Sequence, residues 1–199
     1  MIIGIIGKMG SGKDTLAKMI QEIQPEYGWE VKQFSGKLKQ VASILTGIDV
    51  ERFNDQQFKS QQMDESWNGM TYREFLQRLG TDAIRNVLHN NVWINALMSD
   101  YKPYNHPIES GSGIFVNRFP NWIISDVRFS NEAETIRRMG YPLVKITRGS
   151  SLDSHSSETN MDLYGRHHYE IDNNGSISDL RDQVKSLLSR LSSTINKVD

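Results

Sequence analysis

The chain of 199 residues contains no cysteine, which excludes disulfide bonds and thiol chemistry and fits a reducing compartment, the cytoplasm. It has no excess of either charge: the formal net charge is −1. Coating of nucleic acid by bulk electrostatics is therefore excluded, and only a local basic cleft is left open. No apolar run approaches the length that crosses a membrane. The first run, Ile2–Ile6, is interrupted by glycine and is read as a strand and not as a signal peptide. There is no internal repeat. The length suits one domain with a small mobile insertion.

What the chain does have is concentrated in MIIGIIGKMGSGKDTLAKMI, its first twenty residues. An apolar run leads into a glycine-rich turn, a lysine and a helical pattern. Gly7, Gly12 and Lys13 match G-x-x-x-x-G-K, the phosphate loop, with a strand before it and a helix after it. Glycines at 7, 10 and 12 allow the backbone to turn its N–H groups inward. The helix starting near Lys13 points its positive end at the same place, and Lys13 adds a mobile charge for β- and γ-phosphates. The expected ATP-binding set is Gly7, Lys8, Gly10, Ser11, Gly12, Lys13, Asp14 and Thr15. The bland alternative, a glycine-rich turn in any α/β protein, is disfavoured by the flanking strand and helix. One departure stands out. The motif usually has Ser or Thr after the lysine, where the hydroxyl binds Mg²⁺; this chain has Asp14, then Thr15. Asp14 either contacts the metal or its waters, acts on the acceptor side, or favours the first helical turn as an anion.

Strands are expected at Ile2–Ile6, Val31–Phe34, Trp122–Ser125, Leu143–Thr147 and Glu170–Asp172, several of them short apolar runs, and they alternate with helical patterns. The helices are expected at Asp14–Glu22, Lys37–Leu45, Tyr72–Leu88, Trp93–Tyr101, Asn131–Met139 and Ser178–Leu191. Thr71-Tyr-Arg-Glu74 reads as a capping box. Ser130 or Asn131 is the expected cap of the fifth helix, and Gly140 its stop. This alternation predicts an α/β fold, a parallel β-sheet core flanked by helices on both faces, with ligands at the carboxyl ends of the strands. Lys102–Phe119, rich in Pro, Gly, Ser and Asn, is expected as a surface loop or a β-hairpin around Gly111-Ser-Gly113.

Trp122-Ile-Ile-Ser-Asp126 is an apolar strand ending in an acid, the pattern of an aspartate that orients Mg²⁺ through its waters beside a phosphate loop. Asp14 and Asp126 are the metal candidates. Arg128 suits an acceptor phosphate or developing transition-state charge; the alternative is a surface salt bridge with Glu132 or Glu134. Arg78 and Arg85 lie seven apart and, on an α-helix, share a face suited to a small phosphorylated acceptor or simply to solvent. Arg148 ends a strand ahead of the polar stretch Gly149–His168, where a kinase places its lid. Of Lys37 and Lys39, at least one is expected to face solvent. His155-Ser-Ser-Glu158 and His167-His168 invite a transition-metal reading, which the lack of cysteine and of a supporting pattern disfavours.

Taken in order, GKMGSGKDT (7–15), FSGKLK (34–39), LQRLGTDAIR (76–85), Trp93, ISDVRFSNEAE (124–134) and HSSE (155–158) resemble the bacteriophage deoxynucleoside monophosphate kinase family over nearly the whole chain. More distantly they resemble other small P-loop kinases, including phosphomevalonate and dephospho-coenzyme A kinases. The resemblance implies a P-loop kinase fold in a single domain spanning 1–199. Its acceptor-binding helical part lies at about 35–100, an insertion at about 102–120 and a short lid at about 148–168. It implies ATP as donor, a deoxynucleoside monophosphate as acceptor and Mg²⁺ as cofactor. Lys13, Asp14, Asp126, Arg128 and Arg148 become catalytic candidates. Lys37, Arg78, Asp82, Arg85, Trp93, Arg128 and Glu158 become acceptor-site candidates. No nucleic-acid or membrane partner is implied, and monomer and homodimer both stay open. The location implied is cytoplasmic, that of the host cell if the protein is phage-encoded. The alternatives are a kinase of another small phosphorylated metabolite and a non-kinase regulatory ATPase.

Overall fold

The strands are β1 (Ile2–Ile6), β2 (Glu30–Lys32), β3 (Tyr104–Pro107), β4 (Phe115–Arg118), β5 (Trp122–Val127), β6 (Leu143–Thr147) and β7 (Tyr169–Asp172). They are seen in a computed structural model that describes residues 1–107, 115–149 and 165–195. The chain divides into two units, Met1–Lys32 with Tyr101–Asp199, and Gln33–Asp100.

In the first unit five strands form one sheet in the order β2-β5-β1-β6-β7, every neighbouring pair parallel. The expected apolar runs form it because strands covered on both faces need apolar side chains on both: β1 and β5 are buried at every position. On one face α1 (Lys13–Ile23) and the long C-terminal helix Ile177–Ile195 pack their apolar stripes. Leu16, Ala17, Met19 and Ile20 of the former and Leu180, Val184, Leu187, Leu188 and Leu191 of the latter meet Ile3, Ile5, Ile123, Val144 and Ile146. These spacings are the i, i+3, i+4 signature of a one-sided helix. Helix Ser130–Arg138 contacts β1 and β6. Among the described residues β3 and β4 pair only with each other, antiparallel, with Tyr104 opposite Arg118 and Pro107 opposite Phe115. At the return into this unit Tyr101 is buried among Phe119, Trp122 and Tyr141. Burial, and the 2.9 Å bond between the Tyr101 and Tyr141 hydroxyls, push the Tyr101 hydroxyl well above the ordinary tyrosine range.

The second unit is helical: α2 (Phe34–Thr46), α3 (Gln56–Lys59), α4 (Tyr72–Gln77) and α5 (Val92–Met98) are joined by 3₁₀ turns and one wide helix, Arg78–Leu88. Its core is Ala42, Phe53, Phe58, Met63 and Phe75, with Phe58 stacked on Tyr72 at 4.3 Å. The Thr71 hydroxyl caps α4 by accepting the Glu74 N–H at 3.1 Å, one half of the expected capping box; the Glu74 carboxylate pairs with Arg78 at 2.6 Å.

Three expectations are corrected. β2 ends at Lys32, because Phe34 already begins α2 with its ring buried. The helix of Ser130–Arg138, α6, is not capped by Ser130 or Asn131. Phe129 occupies the cap position, and the Glu132 carboxylate accepts the N–H groups of Arg128 at 2.8 Å and Phe129 at 3.0 Å. The largest correction concerns Tyr72–Leu88, which is not one α-helix. From Arg78 to Leu88 it is a π-helix, with i→i+5 bonding seen where His89 N–H reaches Ile84 C=O. Glycine is a weak helix former, and the Gly80 carbonyl takes an outside donor, the Trp93 indole N–H at 2.9 Å. The wider turn removes the seven-residue face: Arg78 is exposed and paired with Glu74 at 2.6 Å, while Arg85 is 7% exposed.

Candidate active site

The loop between β1 and α1 is closely packed, and side chains bond its carbonyls. Gly7 cannot carry a side chain, since a Cβ there would lie 2.7 Å from the Ile146 carbonyl oxygen. Gly12 combines φ 99° with close approach: its Cβ would strike the Asn173 Nδ2. The Lys13 ammonium donates to the carbonyls of Gly7 at 2.7 Å and Lys8 at 2.6 Å, so the cation lies over the loop. Ser11 is buried, and its hydroxyl has no hydrogen-bond partner among the described residues. An orphaned hydroxyl inside such a loop costs about 1–3 kcal/mol and fits a site completed by an anion. Asp14 and Thr15 are exposed on the first turn of α1; Lys8 is half-buried and Gly10 exposed.

The sheet brings the other candidates of this unit to the same edge. β5 and β6 flank β1, with Val127 and Lys145 both in register with Ile6. Asp126, Arg128 and Arg148 therefore lie at carboxyl ends of the strands on either side of the loop. The β1–β5 register slips by one residue between Gly4 and Ile6, which places a bulge in β5 at Ser125–Asp126. A bulge re-aims a strand side chain, and Asp126 is 6% exposed. Arg128 is exposed, and among the described residues it has no ion pair with Glu132 or Glu134. Glu132 is spent on backbone N–H groups, and Glu134 pairs with Arg137 and Arg138. Arg148 is exposed one residue beyond β6. Glu158 and His155 lie outside the described residues.

In the second unit Lys37 pairs with Asp100 at 2.6 Å, and Lys39 donates to Gln33 and Asn54. Arg78 and Asp82 line an open cavity of about 660 Å³ with Trp67, Met70, Phe75, Leu79 and Ala83. Arg85 and Trp93 do not join them there. Arg85 donates to the Asn90 carbonyl at 3.3 Å, and Trp93 is buried against Gly80.

A model of the deoxynucleotide monophosphate kinase family matches residues 31–184. The chain belongs to the deoxynucleotide monophosphate kinase family. It is a phosphotransferase with ATP as co-substrate, built as a parallel sheet between helices. The "Putative deoxynucleotide monophosphate kinase" of Acanthamoeba polyphaga mimivirus is 30% identical over 207 residues, covering 96% of this chain and 98% of that protein. The deoxynucleotide monophosphate kinase of Escherichia phage RB69 is 24% identical over 143 residues, covering 71% of this chain and 53% of the phage protein. Among solved structures, the shikimate kinase of Aquifex aeolicus aligns over 98% of both chains at 12% identity with a TM-score of 0.49, a likeness too distant to add to the assignment.

Two residues that brace the backbone of the candidate site escape sequence reasoning. Asn173 donates to the Ser11 carbonyl at 2.9 Å across 162 positions; the sequence shows it only as turn chemistry in Asn173-Asn-Gly175. Glu132 fixes the turn that carries Arg128, and its signal was present, an acid at the third position of a helix. The histidine reading finds no support in the described part. His168 Nδ1 accepts the Leu143 N–H at 3.1 Å, and no described group of three or more His, Asp or Glu could hold a metal. No helix among the described residues is long and apolar enough to cross a membrane.

Proposed function

We propose that the chain transfers the γ-phosphoryl group of ATP to the phosphate of a deoxynucleoside monophosphate, with the donor phosphates in the loop Gly7–Thr15. A phosphate oxygen of the acceptor attacks the γ-phosphorus, the bond to the β-phosphate's bridging oxygen breaks, and ADP leaves as the deoxynucleoside diphosphate forms. The acceptor oxygen is already a competent nucleophile at neutral pH, so catalysis is positioning and charge neutralisation. The observation that carries the reading is the Lys13 ammonium lying over a glycine loop flanked by the strand ends that bear Asp126 and Arg148. Asp126, through water, and Asp14 are the residues that would hold Mg²⁺. When bound, the ion neutralises phosphate charge and orients the donor.

Arg128 and Arg148 supply charge for the transferred group. On the acceptor side we assign Arg78, Asp82 and Lys37, supported by the cavity that Arg78 and Asp82 line beside the Trp67 ring. An apolar slot with a few convergent polar groups suits a base. Arg85 and Trp93 then shape the acceptor unit from within. Glu158 is proposed as an acceptor contact on the family resemblance, and 148–168 as the lid that excludes water. The absence of cysteine and the viral sources of the two relatives support action in a host-cell cytoplasm.

ADP formation from ATP and Mg²⁺ is the test, measured with each of the four deoxynucleoside monophosphates in turn. Turnover that depends on at least one of them is expected. ATP hydrolysis indifferent to all four would sink the proposal in favour of a regulatory ATPase.

A further inference from the structure

We propose that Asn173 is a positioning residue for phosphoryl transfer, holding the phosphate loop in the shape that receives the donor. The proposal rests on reading residues 7–15 as that loop. In a loop that turns its N–H groups toward an anion, the carbonyls face outward, and each needs a donor from elsewhere. The Gly7 and Lys8 carbonyls have Lys13, and the Gly12 carbonyl has the Leu16 N–H inside α1. The Ser11 carbonyl has Asn173, whose Nδ2 donates at 2.9 Å. The same Nδ2 is the atom that a side chain on Gly12 would strike. Asn173 thus lies against the two residues that form the last turn of the loop before the helix.

Asn173 is itself pinned. Its backbone N–H donates to the Thr147 carbonyl at the end of β6 at 2.8 Å. The next residue, Asn174, accepts the Gly149 N–H at 2.5 Å and donates its own N–H to Asp172 at 3.0 Å. The turn after β7 is therefore a strut between the ends of β6 and β7 and the loop. Its position, one residue past a strand at the sheet edge, makes the loop's shape depend on a part of the chain 162 residues away.

The test is steady-state kinetics and a thermal melt of N173A, N173D and K13A in the full chain. N173A withdraws the donor. N173D keeps the side chain's shape but sets an oxygen against the Ser11 carbonyl, and it decides the matter should N173A fold poorly. We expect KM for ATP to rise about tenfold in N173A and further in N173D. KM for the deoxynucleoside monophosphate should stay within about twofold, and N173D should melt within a few degrees of the parent. Unchanged ATP kinetics in a folded N173D overturns the proposal. So does an equal rise in both KM values, or a fall in kcat with a lowered melting temperature and unchanged KM, since a merely structural residue acts in those ways. A fully active K13A would instead remove the loop reading itself. An inactive K13A beside N173 variants of parental kinetics would remove only the role of Asn173.

Discussion

The sheet unit and the helical unit present their polar residues by different means. In the sheet unit Asp126, Arg128, Arg148 and Asn173 stand at or just beyond the ends of parallel strands, and the ladder decides where they lie. In the helical unit Lys37, Arg78, Asp82 and Arg85 ride on helical turns, and packing decides which way each turn faces. A parallel ladder is built from backbone groups common to all residues, so its geometry tolerates the side chains it carries. A helix face depends on the number of residues per turn, and a change from i→i+4 to i→i+5 bonding redistributes every side chain beyond it. That is why two arginines seven apart end in opposite environments, one at a cavity wall and one in the interior.

The contrast can be broken most severely at Lys13. K13A should lower kcat by about 10²-fold or more, by analogy with other preorganised electrostatic donors, while the melting temperature stays near that of the parent. Near-normal turnover in a folded K13A would mean that the strand-end arrangement is not the donor site. Next in size are the two aspartates. D126N should lower activity and raise the Mg²⁺ concentration required, because a carboxylate helps to hold the hydrated ion. D14N decides between the open readings: a raised Mg²⁺ requirement places Asp14 at the metal. An unchanged requirement with a stability loss of about 0.3–1 kcal/mol places it at the helix start. Magnesium titrations of both variants measure this.

The arginine pair sharpens the comparison within the helical unit. R85A should destabilise the fold by about 1–3 kcal/mol, through lost packing and the lost bond to the Asn90 carbonyl, with smaller effects on KM. R78A should leave the melting temperature nearly unchanged and raise KM for the acceptor, since its guanidinium lines the cavity and its pair with Glu74 is exposed. The reverse outcome, a stable R85A with a raised acceptor KM, would restore the shared-face reading. Denaturant melts beside acceptor titrations separate the two.

The smallest effect expected lies at the start of the C-terminal helix Ile177–Ile195, α7. Ser176 and Asp179 cap it reciprocally, the carboxylate accepting the Ser176 N–H and hydroxyl, each at 2.8 Å. These bonds hold the Asp179 carboxyl below the usual 3.8. A depressed folded-state value means that the stabilisation is complete above the unfolded pKa and is lost as pH falls through the folded one. D179N should flatten the acid limb of the stability profile slightly and leave neutral pH kinetics alone. An unaltered acid limb would show that this cap does not contribute.

Much of the sheet unit was legible along the chain, because its information is local. Ile2–Ile6 and Leu143–Thr147 form strands with the predicted bounds, since a short, mainly apolar segment between turn signals suits a strand of a sheet covered on both faces. The glycine spacing of residues 7–12 was likewise sufficient to place the loop between β1 and α1, and the family likeness followed from motif order. Other features depend on residues distant in sequence. The bulge at Ser125–Asp126 arises from the register with β1. The π-helix couples a weak helix former, Gly80, to an indole thirteen residues later. The bond from Asn173 to Ser11 links the two ends of the sheet unit. Local periodicity reports which face a segment must bury, and that sufficed for order, class and loop. Which side chains converge is settled by strand register, turn pitch and long-range hydrogen bonds, energies that exist only once the segments have packed.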